Sequence, residues 1–243
     1  MTVKLTFLGV GDVCNDVEEH GRGGFCAAER GGKGRARGQP EHDPLCDGGM
    51  LSPSLQSGFD GGQNTTGFTN LEPFDLAVAG NHAFDFGPAS FTEQMAASKY
   101  LWAAMNIVQE DGSPIPALGG VLIKKVGGLK VALILVGQDT SPSVSGTESL
   151  KYLPTVETGV AAAIWAHEDG ADIVVGVVQT NLENDRKLMA SRAFDVILRG
   201  DAAGGCRIYP VAVTDFVLGG GDGYKALGGQ GHQQCGGWQS DGQ

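Results

Sequence analysis

Between Gly80 and Pro88 the chain sets an amide, an imidazole and a carboxylate close together, in the order Gly80-Asn81-His82-Ala83-Phe84-Asp85-Phe86-Gly87-Pro88. Asn offers a hard oxygen to a divalent cation, and His exchanges a proton near neutral pH. An Asp three residues further on can fix the imidazole tautomer and support its charge. The stretch follows the apolar run Phe74 to Ala79. A short buried strand that breaks at Gly-Asn-His would deliver all three groups to the rim of a sheet. A plain surface turn would use Asn and His only as turn formers, but the length and setting of the motif favour chemistry.

The surrounding pattern predicts elements able to hold such a rim. Lys4 to Val10 reads as a first strand, Leu71 to Ala79 as the strand before the motif, and Leu101 to Val108 as another. Pro88 opens an amphipathic helix with Phe91, Met95 and Ser98 at helical spacing. Two apolar runs, Val121–Val126 and Leu129–Val136, flank Gly127-Gly128 and predict a hairpin. A helix follows over Thr155–Glu168, with Val156, Val160, Ala163, Ile164 and His167 along one face. Ala171 to Val178 is a continuous apolar strand, Asn184 to Arg192 a short helix, and Ala193 to Leu198 a further strand. Strands alternating with helices predict an α/β layered domain.

Composition bounds the function. The 243 residues carry a net charge of −11, which disfavours nucleic acid or an anionic membrane as partner. No apolar run is long enough to span a bilayer, so no membrane association is expected. The five cysteines (14, 26, 46, 206 and 235) include no Cys-x-x-Cys pair and argue against a disulfide framework or structural zinc. The opening residues lack a secretory leader, so the chain as written is expected in the cytoplasm, or in the periplasm if a leader has been removed. Glycine is in excess at 40 residues and concentrates at 21–49, 58–67 and 204–243. Residues 14–49 have no helical or strand periodicity, and their one basic cluster, Arg30 to Arg37, reads as a solvated loop. Arg207 to Leu218 could supply one or two strands, and the rest of the tail reads as partly disordered. The glycine, arginine and glutamine bias near 14–49 and 203–243 also looks like the product of an altered reading frame. Among the isolated aromatic and histidine residues, Trp102 and Trp165 read as core, and His167 as a partner for a helix C-terminus. Ser52 lacks the Gly-x-Ser-x-Gly elbow of a serine hydrolase.

The motif around Asn81-His82 resembles the Gly-Asn-His-Glu-Phe-Asp-Phe-Gly-Pro block of calcineurin-like metallophosphoesterases, in their 5'-nucleotidase branch. Further blocks agree in order: Leu5 to Asp12, Met50 to Leu55, Val126 to Ile134, and Phe194 to Leu198. The resemblance implies an α/β fold, a layered metallophosphoesterase-like β-sandwich flanked by helices. It implies a domain over 1–203, followed by a Gly-rich segment over 204–243, without the C-terminal substrate domain usual in that branch. It also implies a divalent metal cofactor (manganese, zinc or magnesium, at one or two sites) and a small phosphoester substrate, a nucleotide. Oligomeric state is left open.

In such a two-metal site the cations lie about 4 Å apart, polarise the phosphoryl group and activate a hydroxide, while an imidazole protonates the leaving alcohol. By resemblance, Asp12 and Asn81 are metal ligands, His82 is the proton donor and Asp85 its orienting carboxylate. The remaining ligand positions depart from the pattern. Cys14 replaces a His and suits zinc better than magnesium or manganese. Gln179 replaces a His after the strand ending at Val178, and Asp201 stands in a Gly-His-x-His motif whose last position is Ala203. The bridging Asp is replaced by Gly49, with Asp47 two residues upstream, and the Glu after His82 by Ala83. Two readings follow: a metal-dependent phosphoester hydrolase with an altered site, or a catalytically impaired relative that keeps the fold for binding or scaffolding.

Overall fold

The structure, a computed structural model, describes residues 2–11, 42–46, 48–52, 54–71, 74–138, 149–200 and 205–214. Two sheets face one another. In the first, β1 (Thr2–Gly11) pairs in parallel with β2 (His42–Cys46), β2 with β3 (Leu76–Val78), and β3 with β4 (Leu101–Ala103). A last strand of the described chain, β11 (Gly205–Thr214), closes the other edge antiparallel to β1. In the second, β6 (Val121–Val126) and β7 (Leu129–Val136) form the hairpin turning at Gly127-Gly128. Parallel strands β9 (Ile173–Val178) and β10 (Val196–Arg199) extend that sheet beyond β7. A small ribbon pairs β5 (Ile107–Gln109) with β8 (Leu150–Tyr152).

Side-chain alternation assigns each face. Along β7, Val131, Leu133 and Leu135 enter the core between the sheets, with Ile173, Val175 and Val177 of β9 beside them and Phe7, Leu45, Leu76 and Val78 opposite. Ala132, Ile134 and Val136 point the other way, against α4 (Thr155–Glu168) and α5 (Leu182–Ser191). The outer face of the first sheet packs Ala77, Ala79 and Trp102 onto Phe91 and Met95 of α3 (Gly87–Ala97). Period-two patterning on strands apolar on both faces therefore yields a helix–sheet–sheet–helix sandwich. Two short helices, α1 (Ser57–Asp60) and α2 (Gln63–Thr69), precede β3. Asp60 joins them by accepting from the backbone N–H groups of Gly62 and Asn64.

The expected α/β layered sandwich is what the structure shows, and the hairpin and α4 keep their expected bounds. Four expectations are corrected. Residues 14–49, expected to be irregular, contain β2 (His42–Cys46), which joins the first sheet between β1 and β3. The strand expected over Leu101–Val108 is two strands, because buried Asn106 turns out of the sheet to bond the backbone of Gly137. Its amide accepts from Gly137 N–H at 2.8 Å and donates to Gly137 C=O at 2.9 Å, pinning the turn to the end of β7. The strand before the motif is only Leu76–Val78; Phe74 packs edge-on against Tyr100 instead. Trp165 is not core: it and Ile164 are each 49% exposed, because α4 buries its small stripe of Thr155, Gly159, Ala162, Ala163 and Ala166. That stripe lets the helix backbone approach the sheet closely, which apolar spacing alone did not reveal. Trp102 is core, at 2% exposure.

Candidate functional site

Parallel strands present their C-terminal ends on one edge, where α/β proteins collect ligand-binding groups. Here the ends of β2, β3, β7 and β9 converge. Beyond β3, Gly80 leads into a 3-10 turn over Asn81–Ala83, which carries Asn81 and His82 half-exposed onto the rim. His82 Nδ1 lies 2.8 Å from Asp85 Oδ2. An ionised Asp85 there accepts from Nδ1–H, which leaves Nε2 as the nitrogen that exchanges protons with a ligand. Phe84, between them, is buried against Phe91 with ring centroids 4.7 Å apart, so α3 anchors the turn from below.

The end of β9 meets this turn through Gln179, whose side chain is 1% exposed. A Cβ added to Gly80 would lie 2.7 Å from Gln179 Cγ, and one added to Gly48 only 2.0 Å from Gln179 Oε1. Glycine at both positions is therefore a matter of space, and Gln179 fills the cleft between the ends of β2 and β3. The Gln179 backbone N–H donates to Val136 C=O at 3.0 Å, which holds the turn at the end of β7. Cys46 Sγ lies 3.7 Å from Gly48 C=O, tying the glycine turn back onto β2.

A buried polar chain that the sequence did not reveal backs this turn. Thr180 Oγ1 donates to Asp185 on α5, and Asp185 Oδ2 pairs with Arg199 Nε at 2.5 Å, at the end of β10. Burial raises the Asp185 carboxyl above its ordinary range, while Thr180 and Arg199 pull it back. The available signal was local: Asn181 caps α5 by accepting from Asn184 N–H, which puts Asp185 in the first helical turn, back toward Thr180. The pairing with Arg199, fourteen residues further on, had no sequence signature.

Of the residues expected at the site, the structure brings Asn81, His82, Asp85 and Gln179 to one rim. Asp12, Cys14 and Asp201 lie outside the described residues, as does Asp47; Asp12 follows the end of β1, and Asp201 follows Gly200, whose N–H donates to Val178 C=O. The described donors do not fit a pair of divalent cations. Two dications about 4 Å apart repel by about 16 kcal/mol at an effective dielectric of 20, so a bridging carboxylate or comparable negative charge must sit between them. Gly49 provides no side chain there, and the buried Gln179 amide is neutral. Among the described residues, no group of three or more His, Cys, Asp or Glu side chains could hold a metal ion.

No protein-family model matches the sequence, and no curated protein sequence matches it significantly. Solved structures do match its fold. The NAD nucleotidase of Haemophilus influenzae superposes with a TM-score of 0.74 at 20% identity, over 83% of this chain and 43% of that one. The 5'-nucleotidase precursor of Thermus thermophilus gives 0.70 at 18% identity, over 82% and 41%. A calcineurin-like phosphoesterase of Bacillus subtilis gives 0.67 at 15%, over 82% and 72%. This chain thus spans less than half the length of the two nucleotidases. These superpositions show that the chain has the fold of these nucleotidases and of the calcineurin-like phosphoesterase.

Proposed function

We propose that this chain is a phosphoester hydrolase of the 5'-nucleotidase type, acting at the strand-end rim on a nucleoside monophosphate or a similar phosphomonoester. The observation that carries the reading is the His82–Asp85 pair, 2.8 Å apart on the turn after β3. A water oxygen bonds to phosphorus, losing its proton to solvent, as the ester phosphorus–oxygen bond breaks. The leaving alkoxide takes a proton, which an imidazole supplies at neutral pH with little driving-force penalty. Asp85 holds Nδ1 and stabilises the imidazolium before transfer, while Nε2 delivers the proton. Asn81, the preceding residue of the same turn, orients a phosphoryl oxygen through its amide. The described donors do not fit a cation pair, and these three residues act on the phosphoester directly. Asp12, Cys14 and Asp201 as further metal ligands belong to the same proposal; the domain expected over 1–203 reaches at least to Thr214, because β11 pairs with β1.

The test is release of inorganic phosphate from nucleoside monophosphates by the purified chain with manganese, zinc or magnesium supplied. Release that vanishes in His82→Ala supports the reading. No release from any phosphomonoester with any of these metals overturns it. A second reading, a phosphoester-binding domain without turnover, is favoured by one observation: neutral Gln179 is packed into the cleft between Gly48 and Gly80. Nucleotide binding without phosphate release is its signature.

A further inference from the structure

We infer that Gln179 is a neutral plug that limits this rim to at most one divalent cation. The inference rests on the site lying at these strand ends, and not on turnover. Three observations carry it. The Gln179 side chain is wholly buried, and it fills the gap between the ends of β2 and β3 so closely that neither Gly48 nor Gly80 has room for a Cβ. Gly49, in the same turn, is buried at φ +61° and brings no side-chain donor to the gap. The plug itself is an amide, which can offer one oxygen but no charge to neutralise a second cation. A single cation needs no bridging group, and Asn81, half-exposed on the turn after β3, is left to serve one. A pair needs negative charge where this chain has Gln179 and Gly49.

Isosteric replacement tests the plug without disturbing its packing. Gln179→Glu has the same shape but puts a carboxylate into the gap. Without metal its thermal midpoint should fall below that of the parent chain, because a buried charge lacks solvent. Manganese should restore that midpoint, and calorimetric affinity for manganese should rise at least tenfold over the parent. The double variant Gly49→Asp, Gln179→His should gain a further equivalent of bound manganese; Asp is among the residues that best tolerate a positive φ. The parent chain itself, titrated with manganese and with zinc, should bind no more than one equivalent. Two equivalents at micromolar affinity in the parent would overturn the inference, as would a folded Gln179→Glu whose manganese affinity is unchanged. If neither variant folds, the parent stoichiometry decides alone. Absent phosphate release with a stoichiometry of one or less sinks the hydrolase and leaves the plug standing.

Discussion

Two ends of the same rim have diverged. At the end of β3 the turn keeps Asn81, His82 and Asp85, with the imidazole held at hydrogen-bond distance by the carboxylate. At the ends of β2 and β9, across a gap narrower than a methyl group, stand Gly48, Gly49 and a buried glutamine. Our proposal gives the first wall the work of moving a proton, while the second is filled by the Gln179 side chain. The difference teaches that the two walls of one rim rest on separate elements, α3 beneath the first and α5 and β10 behind the second, so each can change without the other.

The sharpest way to break this comparison is at His82. If the β3 wall does chemistry, His82→Ala should lower phosphate release about 10²–10⁴-fold while leaving the thermal midpoint near that of the parent chain. An equal loss from a Gly49 or Gln179 variant would erase the distinction between the walls. Next in size is a control away from both. Leu133 lies fully buried between the sheets, and Leu133→Ala should cost about 2–5 kcal/mol in denaturant unfolding. That loss should leave manganese stoichiometry unchanged, since the core sets the scaffold and not the ligands.

Asp85→Asn sharpens the β3 side. The amide oxygen can still accept from Nδ1–H but no longer supports an imidazolium, so phosphate release should fall roughly 10–100-fold. The loss should fall on kcat with KM near that of the parent chain, a split that a purely structural role would not produce. On the other wall, Gly80→Ala drives a methyl to 2.7 Å from Gln179 Cγ and should destabilise by about 1–3 kcal/mol. Adding Gln179→Ala should recover part of that loss; strict additivity in the double-variant cycle would show that the two residues do not touch.

The smallest effect lies far from the rim. Burial raises the Asp195 carboxyl above 3.8, although Val174 N–H donates to it at 2.7 Å. A raised pKa means that the folded state binds more protons than the unfolded chain within that window. Stability from this group therefore declines as pH rises from 3.8 through the folded-state value, and levels off above it. Asp195→Asn keeps an acceptor for Val174 and should remove that decline, read as a flatter plot of urea midpoint against pH.

Much of the fold was legible because its signals are local. The hairpin shows as two apolar runs around Gly127-Gly128, and β9 as an unbroken apolar run, since a strand buried on both faces needs no polar alternation. What escaped notice depends on contacts across long separations. Asn106 breaks a strand only because Gly137, thirty-one residues away, needs its amide. Trp165 faces outward because α4 settles on its alanines, and no rule of apolar spacing ranks a small stripe above a large one. At the site, the Asn81-His82-Asp85 spacing pointed to the geometry found, since three residues of a tight turn allow few arrangements. That Gln179 would fill the cleft beside Gly48 was hidden, because it depends on space between three strands.

The central claim is that the β3 wall still handles a phosphoester. The most direct measurement is the nitrogen–proton spectrum of the His82 ring while a nucleoside monophosphate is titrated into the chain. The account predicts an imidazole protonated at Nδ1 before addition and a saturable change at Nε2 as nucleotide binds, absent for the matching nucleoside. A His82 ring whose resonances stay unchanged at millimolar nucleotide would contradict it.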